Sequence, residues 1–183
     1  MFANFTSSLV QVKFNHKEFE ADMGKILDKA MKIYIETLVK TIVDKKYIPV
    51  YSGMAQGALM ALGDLVNHHW AITPVTHTTP SGKSVKVTNK SAAGKALSSA
   101  YITKNISKER IGRSFKFSTG VRHLVENESK PSTKKLKHPT PWDAFGKAKG
   151  VAQQAARDYI FSNIHLKTYI RVNKGRLSSS FKG

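Results

Sequence analysis

The chain has 183 residues, 40% of them hydrophobic, with 30 Lys and Arg against 12 Asp and Glu and a formal net charge of +18. That apolar content can fill a core, which excludes a disordered basic protein, and the length suits one domain with an arm. The absence of cysteine excludes a disulfide framework and thiolate metal sites, and no apolar run reaches the roughly 18 residues of a membrane span.

Residues 1–15 read as a loop or an edge strand (VQVKF), without the basic and apolar regions of a signal peptide. From Asn15 the apolar period changes. Phe19, Met23, Ile26, Leu27, Ala30, Ile33, Tyr34, Leu38 and Ile42 recur at three- and four-residue steps and predict a helix of roughly 29 residues. Asn15 is its cap, Glu18 completes a capping box, and Lys45 and Lys46 complement the dipole at its end. Pro49 cannot continue the helix and pushes Ile48 extended. A second helix is expected from Met54 to about His69, with Ala55, Leu59, Leu62 and Val66 as its apolar face. Gly53, Gly57 and Gly63 suggest close packing of this helix on the first.

Residues 71–83 (AITPVTHTTPSGK) read as loop, and 84–125 as β, from the segments SVKVT, AYITKNI, SFKFST and RHLVE. The stretch 88–98 fits a loop or a short helix, and 129–139 a basic loop with no acid. Thr140 then caps a helix with Pro141 at its first position and Asp143 in its first turn. Phe145, Ala148, Val151 or Ala152, Ala155 and Tyr159 continue the apolar face. HLKTYIRV alternates like a strand, and NKGRLSSSFKG reads as a flexible arm. The expected fold class is α+β: a long N-terminal helix and a second helix packed with an antiparallel β-meander and a C-terminal helix. Residues 1–163 would form one domain and 164–183 a basic strand and arm.

The charge is unevenly placed. Residues 1–64 hold 8 Lys and 7 acids; everything after Asp64 holds 22 Lys and Arg against 5 acids. Like charges on one body repel, so the excess implies a polyanionic partner, either nucleic acid or acidic protein. The candidate contacts are Lys130, Lys134, Lys135 and Lys137 in the basic loop and Lys167, Arg171, Lys174, Arg176 and Lys182 near the C-terminus. Leu177 and Phe181 are candidate apolar anchors on a neighbour.

Enzymatic signals are weak. The Gly-Lys-Ser of Pro80-Ser-Gly-Lys-Ser lacks the first glycine and the upstream strand of a P-loop, and reads as a basic turn. The seven histidines include no helical His-x₃-His pair; His68 and His69 are adjacent and point about 100° apart on a helix. Glu126 and Glu128 alternate on an expected strand end and read as solvated acids. Phe115 and Phe117, with Arg113, Lys116 and Lys108 nearby, match either a single-strand platform or a half-buried strand. No catalytic residue, cofactor or metal is expected.

Ile48-Pro-Val-Tyr-Ser-Gly-Met-Ala-Gln-Gly-Ala-Leu follows a long charged helix and opens a second element. It resembles the Pro-Val-x-[ST]-Gly-x-[AL] turn of the neck, head–tail connector and tail-completion proteins of long-tailed bacteriophages. Val121-Arg-His-Leu-Val-Glu-Asn is similar to a later strand of that family. Tyr51 stands where the family usually has an acid. In physical terms Pro49 stiffens the entry, Gly53 permits the turn and Ser52 caps the helix. The resemblance, over roughly 15–165, implies a non-enzymatic virion structural protein that forms a ring, typically hexameric or dodecameric, at the head–tail junction. Its partners would be itself, other virion proteins of the neck or tail, and DNA, and its place the virion assembled in the host cytoplasm. The alternative is a nucleic-acid-binding module using the basic C-terminal two-thirds, and a nuclease is a third, weaker reading.

Overall fold

The computed structural model describes residues 7–73, 75–107, 110–129, 142–165 and 169–177, with backbone alone at 7–12, 105–107, 110–111, 129 and 171–177. Lys130, Lys134, Lys135, Lys137, Lys167, Phe181 and Lys182 lie outside the described residues, as do Thr140 and Pro141.

Strand β1 (Ser7–Phe14) leads into helix α1 (His16–Asp44), whose 29 residues span about 40 Å. Half of the capping box is present: Asn15 Oδ1 accepts from Glu18 N at 3.4 Å, while Glu18 Oε2 accepts from the Asn15 side-chain Nδ2 at 2.6 Å and the Asn15 backbone N donates to Tyr169 O instead. Lys45 is the C-terminal cap residue and Lys46 follows in a left-handed conformation (φ 53°). The buried residues of α1 are Ala30, Ile35, Leu38, Val39 and Ile42. Ile35 and Val39 widen the expected stripe, because α1 packs against two further helices and a strand.

Helix α2 (Met54–Asp64) is shorter than expected and buried nearly all round, including Gln56, Ala58, Leu59 and Leu62. Gln56 Nε2 donates to the Ile48 carbonyl at 2.9 Å, which satisfies a polar group inside the core. Ser52 is not the cap of α2. Gly53 takes that position with φ 76° and no side-chain cap bond. The glycines of α2 do not face α1 as expected. A Cβ at Gly57 would run into the Ser91 backbone, and one at Gly63 into His68 O and, at 2.8 Å, the Trp70 ring.

Strands β2 (Thr76–Thr78) and β3 (Ser84–Lys86) form a small antiparallel ladder, and α3 (Ser91–Ala96) is the short helix allowed at 88–98. A Cβ on Gly94 of α3 would run into Met54 O of α2, so these two helices meet backbone to backbone. Lys95 bridges to Asp64 at 2.7 Å across the same contact.

Strands β4 (Ser98–Ser107) and β5 (Arg110–Thr119) pair antiparallel, from Ser98↔Thr119 to Ser107↔Arg110. RHLVE, expected as a strand, lies in helix α4 (Arg122–Ser129). Leu124 in this helix and Val121 just before it, three residues apart, are both buried while Val125 is exposed, which is a helical pattern. Helix α5 (Ala144–Asn163) buries Ala144, Ala148 and Ala152 against α1. Asp143 is not inside its first turn. It is the cap residue, left-handed at φ 44°, and makes no side-chain cap bond. Glu128 Oε1 serves instead, accepting from Phe145 N at 2.8 Å.

The chain closes with β6 (Ile170–Leu177), which pairs antiparallel with β1 from Phe14↔Ile170 to Ser7↔Leu177. Arg171, Lys174, Arg176 and Leu177 therefore lie on a paired strand, and 173–177 are not part of a free arm. The ladder is pinned at its base by aromatic rings: Phe14 on Phe19 at 5.3 Å and Phe19 on Tyr169 at 5.3 Å. Asn15 N donates to Tyr169 O at 3.0 Å and the Tyr169 hydroxyl to Asp22 at 3.1 Å. The architecture is thus mixed α and β, as expected, with its antiparallel strands divided into three separate two-stranded ladders.

Candidate interaction surface

The core joins α1, α2, α4 and α5 through Ile35, Leu38, Val39, Ile42, Ile48, Leu59, Leu62, Val121, Leu124 and the α5 alanines. The inner face of β4–β5 lies against it. Ala100, Ile102, Phe115 and Phe117 are partly buried there; Phe115 stacks on Tyr34 at 5.8 Å and Phe117 on Phe145 at 5.8 Å. These phenylalanines face the protein, which removes them as a base-stacking platform.

One ion pair fixes the hairpin to α1. Arg113, only 5% exposed, donates Nε to Asp28 at 2.5 Å and Nη2 to Gly24 O at 3.3 Å. The Arg113 hydrogen bond holds the Asp28 carboxyl below the usual carboxylate range against the opposing effect of burial, with Arg113, Lys104 and Lys32 adding Coulombic support. The outer face of the hairpin carries Ser99, Tyr101, Lys116 and Ser118, all exposed. Tyr101 is 51% exposed and sits opposite Lys116.

The Pro-Val-Tyr-Ser-Gly turn positions a second hairpin, β2–β3. Ser52 O accepts from Lys90 N at 2.8 Å just past β3. Asn89 Nδ2 donates to Ile72 O at 3.2 Å, and Asn89 Oδ1 accepts from Ser91 N at 2.9 Å. Gly53 faces both segments: a Cβ there would lie 2.7 Å from Ile72 Cγ2 and 3.4 Å from Asn89 Oδ1. Tyr51, 60% exposed, meets the His77 ring edge-on at 6.2 Å. Beyond this clamped base, all six residues of the two strands are exposed.

At the tip, Thr79 N donates to Lys83 O at 2.9 Å and Gly82 N to Thr79 O at 2.9 Å. Thr79 Oγ1 also accepts from Lys83 N at 3.1 Å and lies 2.8 Å from Ser81 Oγ. The Gly-Lys-Ser run therefore turns a hairpin and enters a strand, where a phosphate-binding P-loop would enter a helix.

The remaining chemical candidates separate in space. Glu126 pairs with Arg122 on the surface of α4 at 2.6 Å, while Glu128 turns to α5. The His68 ring meets Trp70 at 5.7 Å, and His69 lies 3.8 Å from Asp64. Among the described residues no group of three or more His, Asp or Glu could hold a metal ion. No described helix is long and apolar enough to cross a membrane.

No family model, no curated protein and no solved structure matches this chain.

Sequence reading missed the role of Arg113, visible there only as a base near Phe115 and Phe117, and that of Tyr169. Arg113 lies on the same side of its strand as Phe115 and Phe117, and that period-two relation was the available signal. The inter-element role of Ser52 through its carbonyl has no sequence signature.

Proposed function

We propose that this protein is a non-enzymatic structural subunit that assembles into a closed ring at the head–tail junction of a tailed bacteriophage. The observation that carries the reading is the β4–β5 hairpin. It has ten residues per strand, one face on the core, and no further ladder partner on either outer edge among the described residues. At about 3.3 Å per residue each edge presents roughly 33 Å of backbone. Unpaired edges of that length are templates for strand addition. When the β4 edge of one copy adds to the β5 edge of the next, the contact is head-to-tail, and such contacts close into a ring when the rotation permits.

The element order supports the same reading. A long helix, a Pro-Val-x-Ser-Gly turn, a second helix, antiparallel strands and a further helix follow one another in that order, although residues 121–127, likened to a later strand, run into helix α4 instead. Exposed apolar side chains, Phe161 (76%) and Val151 (55%) on α5 among them, add surface for neighbours. The test is the native mass of the purified protein, by light scattering, in low and high salt. A discrete oligomer that survives high salt supports the ring; a monomer under all conditions removes it.

A further inference from the structure

The β2–β3 hairpin makes little use of its own protein. Its six strand residues are exposed, and Val75 and Val85 remain 47% and 44% exposed. A lone two-stranded hairpin is marginal in water. This one is held at both ends instead. Its base is clamped to the Pro-Val-Tyr-Ser-Gly turn through Ser52, Ile72 and Asn89, and its tip is closed by Thr79. A hairpin that is organised but unburied is suited to an external partner, since ordering it on binding costs little.

Its charge selects the partner. From Leu65 to Lys108 the chain has six lysines and no Asp or Glu. Lys83 in the tip turn, Lys86 on β3 and Lys90 at the base, where α3 begins, are exposed, and none has an acidic partner among the described residues. A second copy, itself at a formal net charge of +18, is a poor match for this surface. On α1, the exposed Glu36 has Lys32 and Lys40 one turn to either side, and Asp28 is already engaged by Arg113. A single strand is also disfavoured, because Phe115 and Phe117 stack inward and leave Tyr51 as the exposed ring beside the hairpin. Lysines interspersed with Ser and Thr hydroxyls, without a row of stacking rings, suit phosphate oxygens. A two-stranded ribbon also has the width to follow a duplex groove.

We infer that the β2–β3 hairpin is a contact for the phosphate backbone of double-stranded DNA, made by Lys83, Lys86 and Lys90 and independent of sequence. The inference does not rest on ring assembly. The Pro-Val-Tyr-Ser-Gly turn acquires a purpose beyond ending α1: it holds this hairpin out from the body.

The experiment is a fluorescence-anisotropy titration of a short mixed-sequence duplex at salt from roughly 50 to 200 mM. The full-length parent is compared with Lys83→Ala/Lys86→Ala/Lys90→Ala and with the control Lys17→Ala/Lys40→Ala/Lys149→Ala, which removes equal charge from exposed helix positions. Each lost phosphate contact flattens the slope of log affinity on log salt by about 0.9, so the hairpin variant should lose about 2.7 and the control clearly less. Native mass should be unchanged in the hairpin variant, which separates this inference from the ring. An unchanged slope, an equal loss in the control, or no duplex binding by the parent overturns the assignment. Displacement of the duplex by polyglutamate at equal charge would instead mark an acidic protein as the partner. Equal or tighter binding of a single strand would refute the choice of duplex.

Discussion

Gly53 offers the sharpest test of how the turn is built, because Gly82 provides a matched control. Both have positive φ, 76° and 79°. Around Gly82 a Cβ would meet nothing within 4 Å, whereas at Gly53 it would press on Ile72 Cγ2 at 2.7 Å. Gly82→Ala therefore incurs only the left-handed backbone penalty of about 1–2 kcal/mol. Loss of chain entropy in the unfolded state offsets about 0.4–1 kcal/mol of it. Gly53→Ala carries the same terms plus overpacking of about 1–3 kcal/mol. The two variants should thus differ by about 1–3 kcal/mol, or roughly 3–10 °C in Tm for a domain of this size. Urea denaturation followed by circular dichroism, with thermal melts beside it, gives both quantities. Equal losses in the two variants, or a Gly53→Ala protein that melts like the parent, would refute the close contact between this turn and the base of β2–β3. Gly53→Val should be worse than Gly53→Ala, since a β-branched residue tolerates positive φ least.

Asp28→Asn should weaken the attachment of β5 to α1 by about 1.5–3 kcal/mol near neutral pH, the scale of a hydrogen bond to a charged group. Because the folded Asp28 is held below the ordinary aspartate range, its contribution is fully present above the unfolded value and fades as pH falls through the folded one. Acid unfolding curves below about pH 4 should therefore be shallower for Asp28→Asn than for the parent. Gly94→Ala should push α3 off α2, destabilising by about 1–3 kcal/mol in denaturant despite the better helix propensity of alanine. Trp142→Ala should fall short of the about 3–5 kcal/mol of a fully buried tryptophan, because Trp142 is only partly buried against the core. A loss of about 1–3 kcal/mol in urea unfolding is expected.

The helices were the most legible part of the sequence. The bounds of α1 follow from the Asn15–Glu18 box and the Pro49 break, both local signals. The β4–β5 hairpin was visible in AYITKNI and SFKFST, which alternate over enough residues to show a period of two. RHLVE was too short for that test. Four of its five residues suit either structure, and the burial of Val121 with Leu124 decided for helix through tertiary packing. The glycines of α2 announced close contact, expected with α1; their neighbours, α3 at Gly57 and the 68–70 segment at Gly63, are set by tertiary docking that leaves no local signal. The pairing of β1 with β6 joins segments more than 150 residues apart, and its register has no local signal. A basic composition made the C-terminal strand look like an arm, although polar composition does not prevent a backbone ladder. Of the β2–β3 hairpin, SVKVT was legible as β, whereas THT lay within a stretch of Pro, Thr and Ser that reads as loop and is a strand only through its pairing with β3.

Ring formation through the β4–β5 edges is tested most directly by the native mass of the purified full-length chain without DNA. With a protomer of 20.3 kDa, the account predicts one discrete multiple of that mass, unchanged when salt is raised enough to screen surface charge. A monomer at every salt concentration, or a heterogeneous series that grows with protein concentration and never closes, would contradict it.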